Sequence, residues 1–275
     1  MTTLGAIALP QNPPETLPAL ARAADEAGLE EFWIWEDCFL HSGVAAAAAA
    51  LAGTGRVRVG IGILPVPFRN VALTAMEIAT LRRLFGDRAM VGVGHGVQDW
   101  MAQVGARPAS PMTLLREYVT ALRALLRGET VTVTGRYVNL DGVRLDWPPD
   151  PPPELLIGAT GPKTLRLSGE LADGTILTAG TPPDGVRAAR GHIAADDHRV
   201  VVFLQTATGP GAAARLTDEV GLAGDAATIA AGVRRWAEAG ADAVILQPTE
   251  DEPDPAGFLR FVAQEVRPLV DQGVS

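Results

Sequence analysis

Six consecutive residues, Gly158-Ala159-Thr160-Gly161-Pro162-Lys163, carry the densest chemical signal in this 275-residue chain. They stand between a short apolar run and a segment of helical period. Small residues let a backbone come close to a ligand, Thr160 supplies a hydroxyl, and Pro162 suits the first turn of a helix. The unpaired amides of such a turn favour an anion, and Lys163 adds a full positive charge. Together they would cradle a phosphate; the plainer reading is a tight turn whose lysine is solvated. His95, flanked by Gly94 and Gly96, could exchange a proton near neutral pH or hydrogen-bond to a bound ring. It could equally cap a strand. Glu36 and Asp37 are adjacent, so on an extended chain their carboxylates point to opposite sides. One would then face a cleft and the other a pairing partner, unless both simply open a charged loop. Cys38 reads as a small buried hydrophobe, because no histidine or helix terminus is evidently placed to activate its thiol.

Composition removes other chemistries. A single cysteine excludes an intrachain disulfide framework and a thiolate metal cluster, and the four histidines are scattered without metal-site spacing. Lys plus Arg number 23 against 32 Asp plus Glu, a net charge of −9. Nucleic acid and anionic membranes are therefore not expected partners, although a local basic pocket could still hold a phosphate. No basic residues precede an apolar stretch at the N-terminus, and the longest apolar segment, Val44–Ala52, is too short to span a bilayer. A cytoplasmic location is the expectation.

The elements that must position these residues follow from an alternation of short apolar runs with helix-period segments. Leu4–Leu9, Phe32–Trp35, Val57–Leu64 and Ala89–Val93 read as strands. Between and after them, helices are predicted over Glu15–Ala27, Val44–Ala52, Ala72–Leu84 and Met112–Leu126, with Gly28, Gly53, Gly86 and Gly128 as stops. Thr130–Val133, Tyr137–Leu140 and Val143–Leu145 then interrupt the rhythm around the turn signals Gly135-Arg136 and Asp141-Gly142. This predicts a β-hairpin insertion over about 129–153, closed by the proline tract Pro148–Pro153. Strands Leu155–Ile157, Thr175–Leu177, Val200–Leu204 and Ala243–Leu246 resume the pattern. Their helices are predicted over Lys163–Ala172, Val186–Ala195, Ala226–Ala239 and Pro255–Val270.

Strands separated by helices of this length are parallel neighbours, and strands apolar throughout are buried on both faces. Eight such units fit a closed α/β barrel, a (β/α)8 TIM barrel with the hairpin between the fourth helix and fifth strand, as a single domain over 1–275. An open doubly wound sheet would tend to carry a glycine fingerprint after its first strand, and Leu9-Pro10-Gln11-Asn12 is not one. In a barrel, functional residues stand where strands end. That rule gathers Glu36 and Asp37, Gly62 and Ile63, Gly94 and His95, and Gly158–Lys163 at one rim.

The segments "FWIWEDCF", "RVRVGIGILPVPFRN", "MVGVGHG", "LLREYVTALRALLRGETVTVTGRYV", "LLIGATGPKTLRLSGELADGTIL" and "RRWAEAGADAVILQP" together resemble the bacterial luciferase-like monooxygenase superfamily. The resemblance is to its coenzyme F420-dependent branch, which includes methylenetetrahydromethanopterin reductase. It implies a deazaflavin ring across the C-terminal mouth, with FMN as the alternative cofactor. It also implies a cis peptide at Gly62–Ile63 and a phosphate site on Gly158, Ala159, Thr160, Gly161, Pro162 and Lys163, with Asp37 and His95 at the acidic and polar cofactor positions. Two residues depart from the pattern: Cys38 stands where several deazaflavin dehydrogenases have a histidine base, and Val97 where many have an acid. Sugar-phosphate dehydrogenation is therefore not expected. The implied activity is hydride transfer between coenzyme F420 and a small organic substrate, with His95 first and Asp37 and Glu36 second as acid–base candidates. The rivals are an FMN-dependent monooxygenase and a non-catalytic flavin-binding barrel. Relatives of this kind pair as homodimers through helices that include Ala72–Leu84.

Overall fold

The computed structural model describes residues 2–272. Eight parallel strands close into a barrel: β1 (Thr3–Ile7), β2 (Glu31–Ile34), β3 (Arg58–Pro65), β4 (Ala89–Gly94), β7 (Leu155–Gly158), β8 (Gly174–Leu177), β9 (Arg199–Ala207) and β11 (Ala243–Pro248). β11 pairs with β1 and β8 with β9, so the ring leaves no edge among these eight. The antiparallel hairpin β5 (Val131–Thr134) and β6 (Asn139–Val143) stands apart from the ring, and the two-residue β10 (Leu222–Ala223) adds to β9.

The helices around the ring are α1 (Leu17–Ala27), α2 (Gly43–Ala52), α3 (Val71–Phe85), α4 (Gln98–Gln103), α5 (Pro111–Leu126) and α6 (Pro162–Leu171). They continue with α7 (Pro183–Ile193), the short α8 (Ala212–Arg215), α9 (Ala226–Glu238), α10 (Pro255–Phe261) and α11 (Arg267–Gln272). Side chains of the short polar type start several of them: Asn70 accepts from the Ala72 amide at 2.8 Å, Asp225 from Thr228 at 2.8 Å and Asp254 from Gly257 at 2.8 Å. Each such cap stabilises its helix by about 1 kcal/mol. No helix among the described residues is long and apolar enough to cross a membrane.

The strands are apolar on both faces because they separate two cores. The outer one packs Phe32, Ile34, Val91 and Leu246 against the helices, whereas the inner one fills the barrel with Ile7, Trp33, Ile176, Val201, Phe203 and Ile245. Trp33 needs space, which β3 supplies: a Cβ on Gly60 would lie 2.5 Å from the Trp33 ring. The indole meets the Phe203 ring edge-on at 5.6 Å and donates to Glu31 at 3.0 Å. Glu31 is fully buried and paired with Arg58 and Arg199. A buried carboxylate survives only with such compensation.

Two expectations needed revision, and one short helix was not predicted. Asp141-Gly142 makes no turn between strands; β6 runs through it, and Thr132 is left opposite an extra residue, with Gly142 at φ +62° and its amide on the Thr132 hydroxyl. The signal is therefore a β-bulge. α4 was not anticipated, being too short for a periodic pattern to show. The last predicted helix is divided by a π-turn over Val262–Val266. Phe258, Val262, Val266 and Val270 are all buried at a constant spacing of four. That spacing outruns a 3.6-residue turn, and the wider turn keeps the four on one side.

Candidate active site

A cleft of about 410 Å³ opens where the strands end, lined from β2, β3, β4, β7, β8, β9 and β11 and the loops that follow them. Its walls are mainly apolar. Trp35 and Phe203 stack at 6.0 Å, and Ile63, Pro65, Trp100 and Ile176 extend the apolar surface. Among the described residues, no lysine or arginine lines it.

β3 shapes the floor. The Gly62–Ile63 peptide is cis, and the pairing of β3 with β4 shifts between Ile61 and Leu64. Ile63 lies against three glycines: Cβ atoms on Gly92, Gly94 and Gly158 would come within 3.2, 3.2 and 2.9 Å of its side chain. Gly62 is constrained by the inner core, since a Cβ there would meet Phe203 at 2.7 Å.

Glu36 and Asp37 do separate. Glu36 is almost fully buried; Arg69 grips both its oxygens, and the Gly43 amide donates to it at 2.8 Å. Arg69 also lies 3.3 Å from Glu77 on α3. Burial works against the Arg69 charge, but Glu36 and Glu77 raise its pKa above the ordinary value. Although Glu36 reaches the cleft wall, both its oxygens are committed, so its part is to hold the β2 loop. Asp37 accepts from the Trp35 indole at 2.9 Å, and burial pushes its carboxyl up. Burial, and then the nearby Glu36 and Asp37, push the Cys38 thiol up as well. A thiol held in that form is a poor nucleophile. The following peptide, Cys38–Phe39, is also cis.

His95 ends β4. Its Nε2 lies 3.3 Å from the Thr164 hydroxyl, its Nδ1 is buried without a partner, and burial holds its pKa below the ordinary value. Gln98 of α4 donates to the His95 carbonyl at 3.1 Å and so fixes the backbone beyond the strand.

Across the mouth, Gly158, Ala159 and Thr160 line the cleft and lead into α6, with Gly161 extended at its N-cap and Pro162 as its first residue. No side chain caps this helix, so its first amides remain open to a ligand. A Cβ on Gly161 would have no atom within 4 Å, which leaves room above the turn. Lys163 is exposed and makes no ion pair among the described residues. Ile63, His95 and Thr160 thus share one rim. Trp35, Thr164, Phe203 and Gln247 belong to the same cleft. Phe203 and Thr164 were not singled out from sequence; the inward parity of Val201 and Phe203 along β9 could have indicated the first.

A closed eight-stranded barrel with an apolar cleft at the strand C-termini and an open helix start beside it defines a (β/α)8 barrel with its candidate site at the C-terminal mouth. Residues 1–218 match the family model for luciferase-like monooxygenase, and the chain belongs to that family. It is 30% identical over 183 residues to 5,10-methylenetetrahydromethanopterin reductase of Methanolobus tindarius, covering 66% of this chain and 56% of that protein. It is 35% identical over 185 residues to an F420-dependent glucose-6-phosphate dehydrogenase of Nakamurella multipartita, covering 62% and 54%. These matches take in little more than half the length of each relative. The fold is that of coenzyme F420-dependent tetrahydromethanopterin reductase from Methanopyrus kandleri, with a TM-score of 0.85 at 20% identity over 97% of this chain and 99% of that one.

Proposed function

We propose that this chain binds coenzyme F420 across the cleft and catalyses hydride transfer between it and a small organic substrate. The observation that carries this reading is the uncapped start of α6, with Thr160 and Lys163, beside an apolar cleft that holds no cation of its own. That donor set suits a phosphate at the rim and an uncharged ring system within. The bound coenzyme would supply the hydride chemistry. The chain's residues do the rest: Gly158–Lys163 hold the phosphate, Ile63 supports a flat ligand from below, and Trp35 and Phe203 keep water from the floor. Asp37 receives or gives a proton, and His95 hydrogen-bonds to the ligand. With Arg69 committed to Glu36, no arginine or lysine among the described residues lining the cleft is free to recognise an anionic substrate.

The phosphate cradle would equally take FMN, and the family's description as monooxygenases favours that as the second reading. Absorbance and fluorescence titrations with each cofactor decide between them. We expect saturable binding of oxidised coenzyme F420 and much weaker binding of FMN; tight FMN binding without any response to F420 would reverse the assignment. We further propose a homodimer through α3, whose exposed Leu73, Met76 and Leu84 fall on one helical face. Met76→Lys should then shift the sedimentation coefficient toward the monomer.

A further inference from the structure

We propose that Thr164 is a positioning residue that holds His95 as the neutral Nε2–H tautomer, making the imidazole a hydrogen-bond donor to an acceptor oxygen in the cleft rather than a base. The argument is a count of protons. Thr164 is buried on α6, and its hydroxyl lies 3.4 Å from the Met112 sulfur and 3.3 Å from His95 Nε2. A thioether accepts and has nothing to donate, so the single Thr164 proton satisfies it. The hydroxyl oxygen is then left to accept, and the proton between Thr164 and His95 belongs to Nε2. The reverse arrangement would turn the Thr164 proton toward His95 and leave Met112 without a donor. It would also put the imidazole proton on Nδ1, which is buried with no acceptor. Nδ1 lacks a partner in either tautomer, so the two differ in the hydrogen bonds made around Thr164: two with the proton on Nε2, one with it on Nδ1.

The same geometry opposes the imidazolium. Protonating His95 would place that same unpartnered N–H at Nδ1. Thr164 from α6 and the Gln98 side chain from α4 pack on the residue, and neither carries charge. The carboxylates Glu36 and Asp37 line the same cleft, and burial opposes protonation of the ring. His95 and Thr164 both line the cleft, and their contact is long. A ligand carbonyl or ring oxygen can therefore draw the Nε2–H away from Thr164 at little cost. This inference concerns the chain's own residues and stands whichever ring system the cleft takes.

Nitrogen-15 NMR of the protein labelled at histidine tests it without any cofactor. The chain has four histidines, and His95 is assigned by the signal pair that disappears in His95→Asn. The expected wild-type signature is a protonated Nε2 and an unprotonated Nδ1, unchanged in Thr164→Ser and lost to a tautomer mixture in Thr164→Val. A wild-type Nδ1–H tautomer, or an unaltered signature in a folded Thr164→Val, would overturn the proposal. If Thr164→Val does not fold, the wild-type and Thr164→Ser spectra decide it. Failure would leave the coenzyme assignment intact, because the cofactor titrations do not depend on the tautomer.

Discussion

Ile63 Cγ2 stands 2.9 Å from the point where a side chain on Gly158 would begin. The floor of the cleft and the lead-in to the helix α6 are therefore in contact through a position that tolerates no carbon. Gly158→Ala should displace Ile63 and cost about 1–3 kcal/mol of stability, as overpacking does. Ligand affinity should fall as well. Gly161→Ala, with open space around it, should leave thermal unfolding nearly unchanged. Melting curves of the two variants check the contrast, and equal losses would contradict it.

The Arg69–Glu36 pair predicts an asymmetry. Arg69→Met leaves a buried carboxylate without its cation and should destabilise the fold by about 3–5 kcal/mol. Glu36→Gln keeps an acceptor for the Gly43 amide and should cost less. Urea unfolding midpoints of both variants would show the order.

Lys163 contributes little to folding, being exposed and unpaired among the described residues. Lys163→Ala should leave the melting temperature in place while weakening binding of a phosphate-bearing cofactor by about 1–3 kcal/mol, the range for a charge-assisted contact. Unchanged affinity in a fluorescence titration would assign the lysine to solvent.

Acidification should act on His95 and Asp37 in opposite directions. The folded-state pKa of His95 lies below its ordinary 6.5, so the unfolded chain binds the proton first and stability declines as pH falls below that value. His198, also lowered by burial, adds to the same slope. His95→Gln should make the decline shallower. Asp37 is raised above 3.8, so its contribution is complete below that value and is lost as pH rises through the folded pKa. Asp37→Asn should then stabilise the protein near neutral pH. Denaturation midpoints measured from pH 4 to 8 test both signs.

Much of this molecule was legible before its coordinates. Eight apolar runs separated by amphipathic segments specify a parallel ring almost by themselves, because each strand must be covered on two faces. The glycines before α6 and the acidic pair after β2 marked the rim, because functional residues of a barrel stand where its strands end. What escaped notice was tertiary. Glu36 is set apart from Asp37 by the Gly43 amide and by Arg69, which lies more than thirty residues further along the chain. Thr164 looks like any threonine in a helix until Met112 and His95 arrive on either side of it. The four-residue spacing from Phe258 to Val270 was visible, but its meaning depended on knowing that all four faced inward.

The plug of Trp33 and Phe203, with the Glu31–Arg58–Arg199 cluster among the residues beneath it, leaves the cavity blind at its lower end. A ligand in the cleft therefore arrives and departs on the side of the C-terminal mouth.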